Sequence, residues 1–136
     1  MRRAKTKKSV AQTIFLVDDD LEMTEVLSEL LEKEGYSTVR AQNGQKALDI
    51  LKKMSRSPLV IVLDMTMPVL DGRGFLAERA HDSGLMEIPV IVVSGSDMPA
   101  IPLMEIKAFL RKPVTIRQLI SIIESAGGES EAESRQ

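Results

Sequence analysis

Apolar positions along the chain follow two different spacings. Short runs of consecutive apolar and β-branched residues indicate strands that are buried on both faces. The clearest runs are Ile14–Val17, Leu59–Leu63 and Val90–Val93, and weaker ones lie at Ser37–Arg40 and Lys107–Arg111. The longer segments between these runs repeat apolar residues every three or four positions. This second spacing predicts helices that pack through one face.

The first predicted helix has a clear beginning and end. Asp20 is placed to cap its amino terminus, and Gly35 is placed to stop it. Its predicted buried face consists of Met23, Val26, Leu27, Leu30 and Leu31. The segment is therefore expected to cover the first strand with that face.

Three further helices are predicted from similar signals. One starts at Asn43-Gly44, and a weaker one runs from Gly72 to His81 after Asp71 as its cap. The last begins with a capping box formed by Thr115 and Gln118. We expect it to end at the glycine pair 127–128, because glycine disfavours a helix interior.

Strands that alternate with helices indicate parallel pairing through right-handed crossovers. The predicted fold is α/β, a doubly wound five-stranded parallel sheet with the flavodoxin-like strand order 2-1-3-4-5. The connection between the fourth and fifth strands is short and holds Pro99 and Pro102. Because proline interrupts a helix, we expect the fourth helix of this fold to be shortened or irregular.

The length of 136 residues and the hydrophobic content of 43% fit one domain, expected over residues 12–127. Residues 1–11 are rich in Lys and Arg and are expected to form a flexible basic tail. Residues 128–136 are polar and lack aromatics, which predicts a disordered tail.

Composition narrows the available chemistry. The chain has no cysteine, and its single histidine, His81, lies in a polar stretch and is expected at the surface. Thiolate sites and histidine clusters for zinc are thereby excluded. The longest apolar run, Leu59–Leu63, is too short to cross a membrane, so we expect a cytoplasmic protein. The net charge of -2 argues against nucleic-acid binding by the domain.

The residues able to perform ionic or phosphoryl chemistry stand directly after predicted strands. Three acids, Asp18 to Asp20, follow the first strand, whereas the second strand ends in inert Ala41. Asp64 follows the third strand, Ser94 the fourth and Lys112 the fifth. Because the carboxyl ends of parallel strands meet at one edge, these groups should converge there.

Clustered carboxylates repel one another unless a cation compensates them. Mg²⁺ prefers oxygen ligands and keeps several waters, which suits a chain without cysteine or clustered histidine. With Mg²⁺ and Lys112 beside it, Asp64 becomes a candidate nucleophile toward phosphorus, and Ser94 can donate a hydrogen bond to the transferred group. Asp20 is interpreted as a helix cap only.

Four segments carry a resemblance to a known family. They are Val17–Asp20, Val62–Gly72, Pro89–Gly95 and Phe109–Pro113, and together they resemble the receiver domains of two-component response regulators. The resemblance covers roughly residues 13–126 and places the motifs in the right order at the right strand ends. It suggests a single-domain, stand-alone receiver.

The resemblance implies a role for each matching position. Asp64 matches the phospho-acceptor, Asp19 a direct Mg²⁺ ligand, and Asp18 an acid that acts through metal-bound water. Thr66 would add its backbone carbonyl to the metal, and Lys112 would contact the phosphoryl group.

Further implied roles concern the signal. Ser94 matches the switch hydroxyl, and Phe109 the aromatic residue that turns inward with it. A histidine kinase or phosphotransfer protein would be the phosphodonor, and a downstream protein would receive the signal. No enzymatic activity is expected beyond self-phosphorylation from a phosphodonor and self-dephosphorylation, both Mg²⁺-dependent.

Three alternatives remain at this point. One is a receiver fold that serves as an interaction module without phosphorylation. A second is an aspartyl-phosphate hydrolase, although Thr66 stands where such an enzyme would need a second acid. The third is a flavodoxin, although no glycine- and hydroxyl-rich phosphate loop follows the first strand.

Overall fold

The computed structural model describes residues 12–95 and 105–135, with the side chains described as far as residue 126. Its strands are β1 Thr13–Val17, β2 Ser37–Ala41, β3 Val60–Asp64, β4 Val90–Ser94 and β5 Ala108–Arg111. They form one sheet in the order β2-β1-β3-β4-β5, and all four pairings are parallel. The predicted fold class and strand order are confirmed.

Helices cover both faces of this sheet. They are α1 Leu21–Lys33, α2 Gly44–Lys53, α3 Gly72–Arg79, the short α4 Ser83–Met86, and α5 Ile116–Arg135. The caps agree with the sequence: Asp20, Asn43 and Asp71 each accept a hydrogen bond from a backbone N–H in the first turn of α1, α2 and α3. Among the described residues, no helix combines the length and apolarity needed to cross a membrane.

The buried face of α1 differs from the prediction. Val26 is 54% exposed, whereas Thr24 and Ser28 are buried beside Leu31. Burial of these hydroxyls is tolerated because each has a partner. The Thr24 hydroxyl donates to the Leu21 carbonyl, and the Ser28 hydroxyl hydrogen-bonds to that of Thr38 on β2. The two hydroxyls thus share the buried face of α1 with Leu31, as predicted for Leu31, while Val26 is turned to solvent.

The carboxyl end of α5 also differs from the prediction. The helix continues through the glycine pair at 127–128 to Arg135, so the predicted helix end is wrong. The helix thus extends into the segment of residues 128–136 for which a disordered tail was predicted. A glycine costs about 1 kcal/mol within a helix. An established helix nevertheless gains one hydrogen bond for each added residue, and glutamate and alanine beyond the pair favour that extension.

Two features lie between α3 and β5. The sequence did not predict α4, which Asp82 caps by accepting hydrogen bonds from the N–H groups of Gly84 and Leu85. The predicted irregular fourth helix, with Pro99 and Pro102, falls on residues 96–104, which lie outside the described part of the chain.

Arg79 is buried, although the sequence around it is polar. Its guanidinium donates to the carbonyl oxygens of Met86, Ile88 and Glu105 at 2.9–3.2 Å. Burial lowers the pKa of Arg79, and the charge of Glu105 acts in the opposite direction. The side chain therefore connects the end of α3 to α4 and to the segment that leads into β5. Nearby His81 is exposed, as predicted.

The core consists of two layers, one on each side of the sheet. Phe15, Ile61, Leu63 and Val92 face the layer of α2 and α3, and Leu16, Val62, Ile91 and Val93 face the layer of α1 and α5. Residues 60–64 and 90–94 of the central strands β3 and β4 are buried throughout. Rigid strands packed on both faces give the side chains at their carboxyl ends a fixed position.

Candidate functional site at the carboxyl edge of the sheet

The residues singled out in the sequence meet at the carboxyl edge of the sheet. Asp18 follows the last residue of β1, and Asp64 and Ser94 are the last residues of β3 and β4. All three are buried, with at most 6% exposure. Lys112 follows β5, and its backbone N–H donates to the Ser94 carbonyl at 2.8 Å. Strand pairing therefore brings together residues that are far apart in the chain.

A lysine bridges the two buried acids. The Lys112 ammonium lies 3.1 Å from Asp18 Oδ2 and 3.3 Å from Asp64 Oδ1. The peptide bond between Lys112 and Pro113 is cis. One cation therefore contacts carboxylates that end two neighbouring strands, β1 and β3.

The charges in this site are only partly compensated. Burial, followed by the negative charge of Asp18, raises the pKa of Asp64, and Lys112 opposes this without cancelling it. Burial by itself would lower the pKa of Lys112, but its hydrogen bonds and ion pairs with Asp18 and Asp64 outweigh burial and raise it. The lysine is therefore protonated at neutral pH, and the carboxylates still exceed it in charge.

Three acids form a cluster that fits a small hard cation. One carboxylate oxygen from each of Asp18, Asp19 and Asp64 lies within 4.8 Å of the other two, and Asp19 is exposed to solvent. Two oxygens that share a Mg²⁺ ion at about 2.1 Å can be at most about 4.2 Å apart. Small side-chain movements would close that difference, and solvent at Asp19 would supply the waters that Mg²⁺ retains.

The remaining candidate residues occupy two separate places: Thr66 lies in a loop, and Ser94 and Phe109 lie on neighbouring strands. Thr66 is exposed in the loop that follows Asp64, where its carbonyl was predicted to contact the metal. Ser94 and Phe109 lie on the same face of adjacent strands, because Val92 pairs with Phe109 and Ser94 with Arg111. Phe109 is half-buried and packs against the core layer of α2 and α3.

The loop between β3 and α3 carries two conformational constraints. A Cβ atom on Gly72 would lie 2.7 Å from the Asp64 carbonyl oxygen and from the Met65 Cα, so only glycine fits there. Val69 has a φ of 69° and is 81% exposed. That left-handed conformation costs a β-branched residue on the order of 1–3 kcal/mol.

Sequence reasoning missed part of this arrangement. Asp18 was expected to act only through metal-bound water, yet it is the nearest anion to Lys112 and also accepts a hydrogen bond from the Asp20 N–H at 2.9 Å. Its position directly after a strand buried on both faces is the signal for an inward carboxylate. The steric need for Gly72 left no signal beyond an ordinary helix start.

A family comparison agrees with this geometry. The model of the response regulator receiver domain matches residues 14–124, which is most of the chain. That range begins at the second residue of β1 and includes the other four strands. It also contains all of the site residues described above.

Two relatives and one solved structure illustrate the likeness. The transcriptional regulatory protein CpxR homolog of Haemophilus influenzae is 38% identical over 116 residues, which are 82% of this chain and 48% of that protein. The polar-differentiation response regulator DivK of Brucella anthropi is 28% identical over 123 residues, which are 88% of this chain and 98% of that protein. This chain thus spans about half the length of the first relative.

The solved structure is the receiver domain of the sensor histidine kinase PA1611 of Pseudomonas aeruginosa, which holds a magnesium ion in its active-site cleft. Its TM-score with this chain is 0.77 at 23% identity, and the match covers 88% of this chain and 99% of that one. A sheet in this strand order, ending in clustered acids and a lysine, together with the family match, shows that the chain belongs to the response regulator receiver domains of two-component signalling.

Proposed function

We propose that this receiver domain is a switch in which Asp64 accepts a phosphoryl group in a Mg²⁺-dependent reaction. The observation that carries the proposal is the position of the Lys112 ammonium, 3.3 Å from the buried Asp64 carboxylate and 3.1 Å from Asp18. The lysine therefore sets a positive charge beside a buried carboxylate that ends a strand and has two further acids near it. The receiver family consists of signalling switches rather than conventional enzymes.

The acid cluster would hold the metal. Asp19 and Asp64 are the proposed direct ligands, with the Thr66 carbonyl as a third and Asp18 acting through water. Support comes from the short oxygen–oxygen separations in the cluster and from the magnesium in the related PA1611 receiver. When bound, Mg²⁺ would neutralise charge on the phosphoryl oxygens during transfer.

The protein's own groups perform the remaining steps. A carboxylate oxygen of Asp64 attacks phosphorus, a new O–P bond forms, and the bond from phosphorus to the donor atom breaks with its electron pair leaving on the donor. Asp64 must be ionised to attack, and Lys112 favours that state. Lys112 can then follow the phosphoryl group, because the mixed anhydride leaves Asp64 with less charge and the phosphate with more.

The phosphodonor is proposed to be a histidine kinase or a phosphotransfer protein, and the readout a downstream protein. A phosphoryl group on Asp64 offers the Ser94 hydroxyl a charged acceptor at the end of the adjacent strand. Phe109 lies on the same face of the next strand, so it is placed to fill space that Ser94 vacates. This relay through Ser94 and Phe109 would alter the surface around β4 and β5.

The direct test is incubation with acetyl phosphate and Mg²⁺ followed by intact mass measurement. We expect one added phosphoryl group in the wild type and none in Asp64→Asn or after chelation of Mg²⁺. Lys112→Ala and Asp19→Ala should slow labelling by at least tenfold. Asp82→Asn, which changes an exposed helix cap outside the site, is the matched control.

Two results would contradict the proposal. Unchanged labelling in Asp64→Asn would place the phosphoryl group elsewhere. The absence of labelling in the wild type would favour an interaction module that does not use phosphorylation.

A further inference from the structure

A groove opens between α1 and α2 at the carboxyl ends of β1 and β2. Its volume is about 380 Å³, and residues near the starts of both helices and at the end of β2 line it. Ligand pockets of proteins usually enclose about 300–1,000 Å³. Open α/β sheets also bind their ligands at the carboxyl ends of the strands. The groove therefore has the size and the position of a small-molecule site.

Two exposed basic side chains line this groove without a carboxylate partner. Arg40 lies near the end of β2, and Lys46 lies in the first turn of α2. Neither forms an ion pair with any residue that the structure describes. The one acid in the lining is Asp18, and its carboxylate is 3.1 Å from the Lys112 ammonium. The groove thus presents two unpaired positive charges, which suit a dianion.

Lys46 is not explained by the stability of its own helix. The dipole of a helix favours negative charge in the first turn, and the first turn of α2 holds no acid. Asn43 caps the helix by accepting a hydrogen bond of 2.8 Å from the Lys46 N–H, so the lysine side chain is not needed for the cap. An anion bound in the groove would compensate this charge.

The remaining lining combines apolar surface with a few polar groups. Leu21, Ala41 and Ile50 form the apolar part, and Leu21 is 55% exposed. The Gln42 amide and the Asp18 carboxylate add hydrogen-bonding groups. An alkyl chain would leave these polar groups without partners. A nucleoside offers a flat ring to the apolar side chains and hydroxyl donors to the carboxylate.

We propose that this groove binds a nucleoside monophosphate. The phosphate would lie between Arg40 and Lys46, and the planar guanidinium of the arginine can donate two parallel hydrogen bonds to it. The nucleoside would lie against Leu21 and Ile50. Binding requires only the groove, so the inference does not depend on phosphorylation of Asp64.

An NMR titration of the ¹⁵N-labelled chain with AMP, in metal-free buffer of low ionic strength, tests the proposal. The comparison ligands are adenosine, inorganic phosphate and hexyl phosphate. The variants are Arg40→Gln, Lys46→Gln and Leu21→Asn. Their matched controls are Arg56→Gln, Lys53→Gln and Val26→Asn, at exposed positions that do not line the groove.

We expect AMP to shift the amide signals at the end of β2 and the start of α2. It should bind roughly tenfold more tightly than adenosine or inorganic phosphate, because each of these makes only part of the contacts. Arg40→Gln and Lys46→Gln should each weaken AMP binding by about fivefold and leave adenosine binding unchanged. Leu21→Asn should weaken the binding of AMP and adenosine but not of phosphate. Added salt should weaken AMP binding in the wild type.

Several outcomes would overturn the inference. They are AMP shifts confined to residues outside the groove, or an AMP affinity that is the same in the groove variants and in their controls. Inorganic phosphate that binds as tightly as AMP would reduce the groove to unspecific anion binding. Hexyl phosphate that binds more tightly than AMP would assign the groove to alkyl phosphates and exclude the nucleotide.

Discussion

At the scale of single residues, the geometry of the site depends on how closely the backbone at the start of α3 can approach the backbone at the end of β3. Gly72 begins α3, and its N–H donates to the Met65 carbonyl at 3.1 Å, which ties the loop back onto the end of β3. A side chain at this position would displace the backbone that carries Asp64. The position of Asp64 therefore depends partly on a residue that has no side chain.

We expect Gly72→Ala to destabilise the domain by about 1–3 kcal/mol, the usual cost of overpacking. Gly95→Ala is the control, because a Cβ atom there meets nothing within 4 Å. Urea unfolding measures the free energy of unfolding of both variants. Equal stabilities of Gly72→Ala and wild type would show that β3 and α3 can separate without cost.

Asp64 lowers the stability of the folded chain at neutral pH. Its pKa is raised above 3.8 by burial and by Asp18, so the folded protein binds this proton more tightly than the unfolded chain does. Protonated Asp64 therefore adds its full contribution to the free energy of unfolding below the pKa of the unfolded chain. This contribution is lost as the pH rises through the pKa of the folded protein.

Asp64→Asn should therefore raise the melting temperature by a few degrees at pH 7 without Mg²⁺. The gain should shrink as the pH falls through the raised pKa toward about 3.8. Calorimetry across this pH range, with Asp82→Asn as control, measures it. A gain that does not change with pH would contradict this account of Asp64.

At the scale of elements, the strands were the easiest part to predict and the helix faces the hardest. Residues 60–64 and 90–94 are apolar runs that end in a polar residue, so burial and strand ends are both visible in the sequence. The sequence identified Leu27 and Leu31 on the inner face of α1 but not Thr24 and Ser28. These two are buried because their hydroxyls bond to the helix's own backbone and to β2, which local patterns do not show. Local patterns also could not reveal the φ of Val69 or the burial of Arg79.

Arg79 should matter for the order of several elements at once. Its three carbonyl acceptors belong to α4, to the approach to β4 and to the approach to β5. Arg79→Met would leave these carbonyls without the guanidinium, and we expect a loss of about 2–3 kcal/mol. Arg79→Lys should recover only part of it, because an ammonium lacks the planar fork of donors.

Urea unfolding tests this expectation, with Arg117→Met as the control at an exposed position of α5. Wild-type stability in Arg79→Met would mean that burial of the charge costs as much as its hydrogen bonds contribute.

At the scale of the whole molecule, the site links the central strand to an edge strand. Lys112 follows β5 at one edge of the sheet, Asp64 ends β3 at the centre, and Asp18 follows β1 next to β3. The sequence predicted this convergence because the carboxyl ends of parallel strands share one edge. It could not predict that the lysine would contact both acids, since that depends on side-chain positions fixed by the three-dimensional packing.

A beryllofluoride mimic of the phosphoryl group should change hydrogen exchange in β5 and in the residues after Ser94. We expect altered protection of the amides of Ala108–Arg111 in the wild type and a much smaller change in Ser94→Ala, which lacks the hydroxyl for the relay. Ser121→Ala, exposed on α5, is the control. Identical protection with and without the mimic, despite confirmed binding, would mean that the signal leaves through another face.

The span of the Lys112–Asp18 pair, 94 residues along the chain, also has a consequence for biosynthesis. A nascent chain that has reached only β4 carries the acids of β1 and β3 but not the lysine that balances them. Until β5 joins the edge of the sheet, carboxylate repulsion opposes docking of β1 against β3. The positive charge beside Asp64, the proposed phospho-acceptor, therefore arrives with the last strand, and we expect incomplete chains to be poor substrates for a phosphodonor.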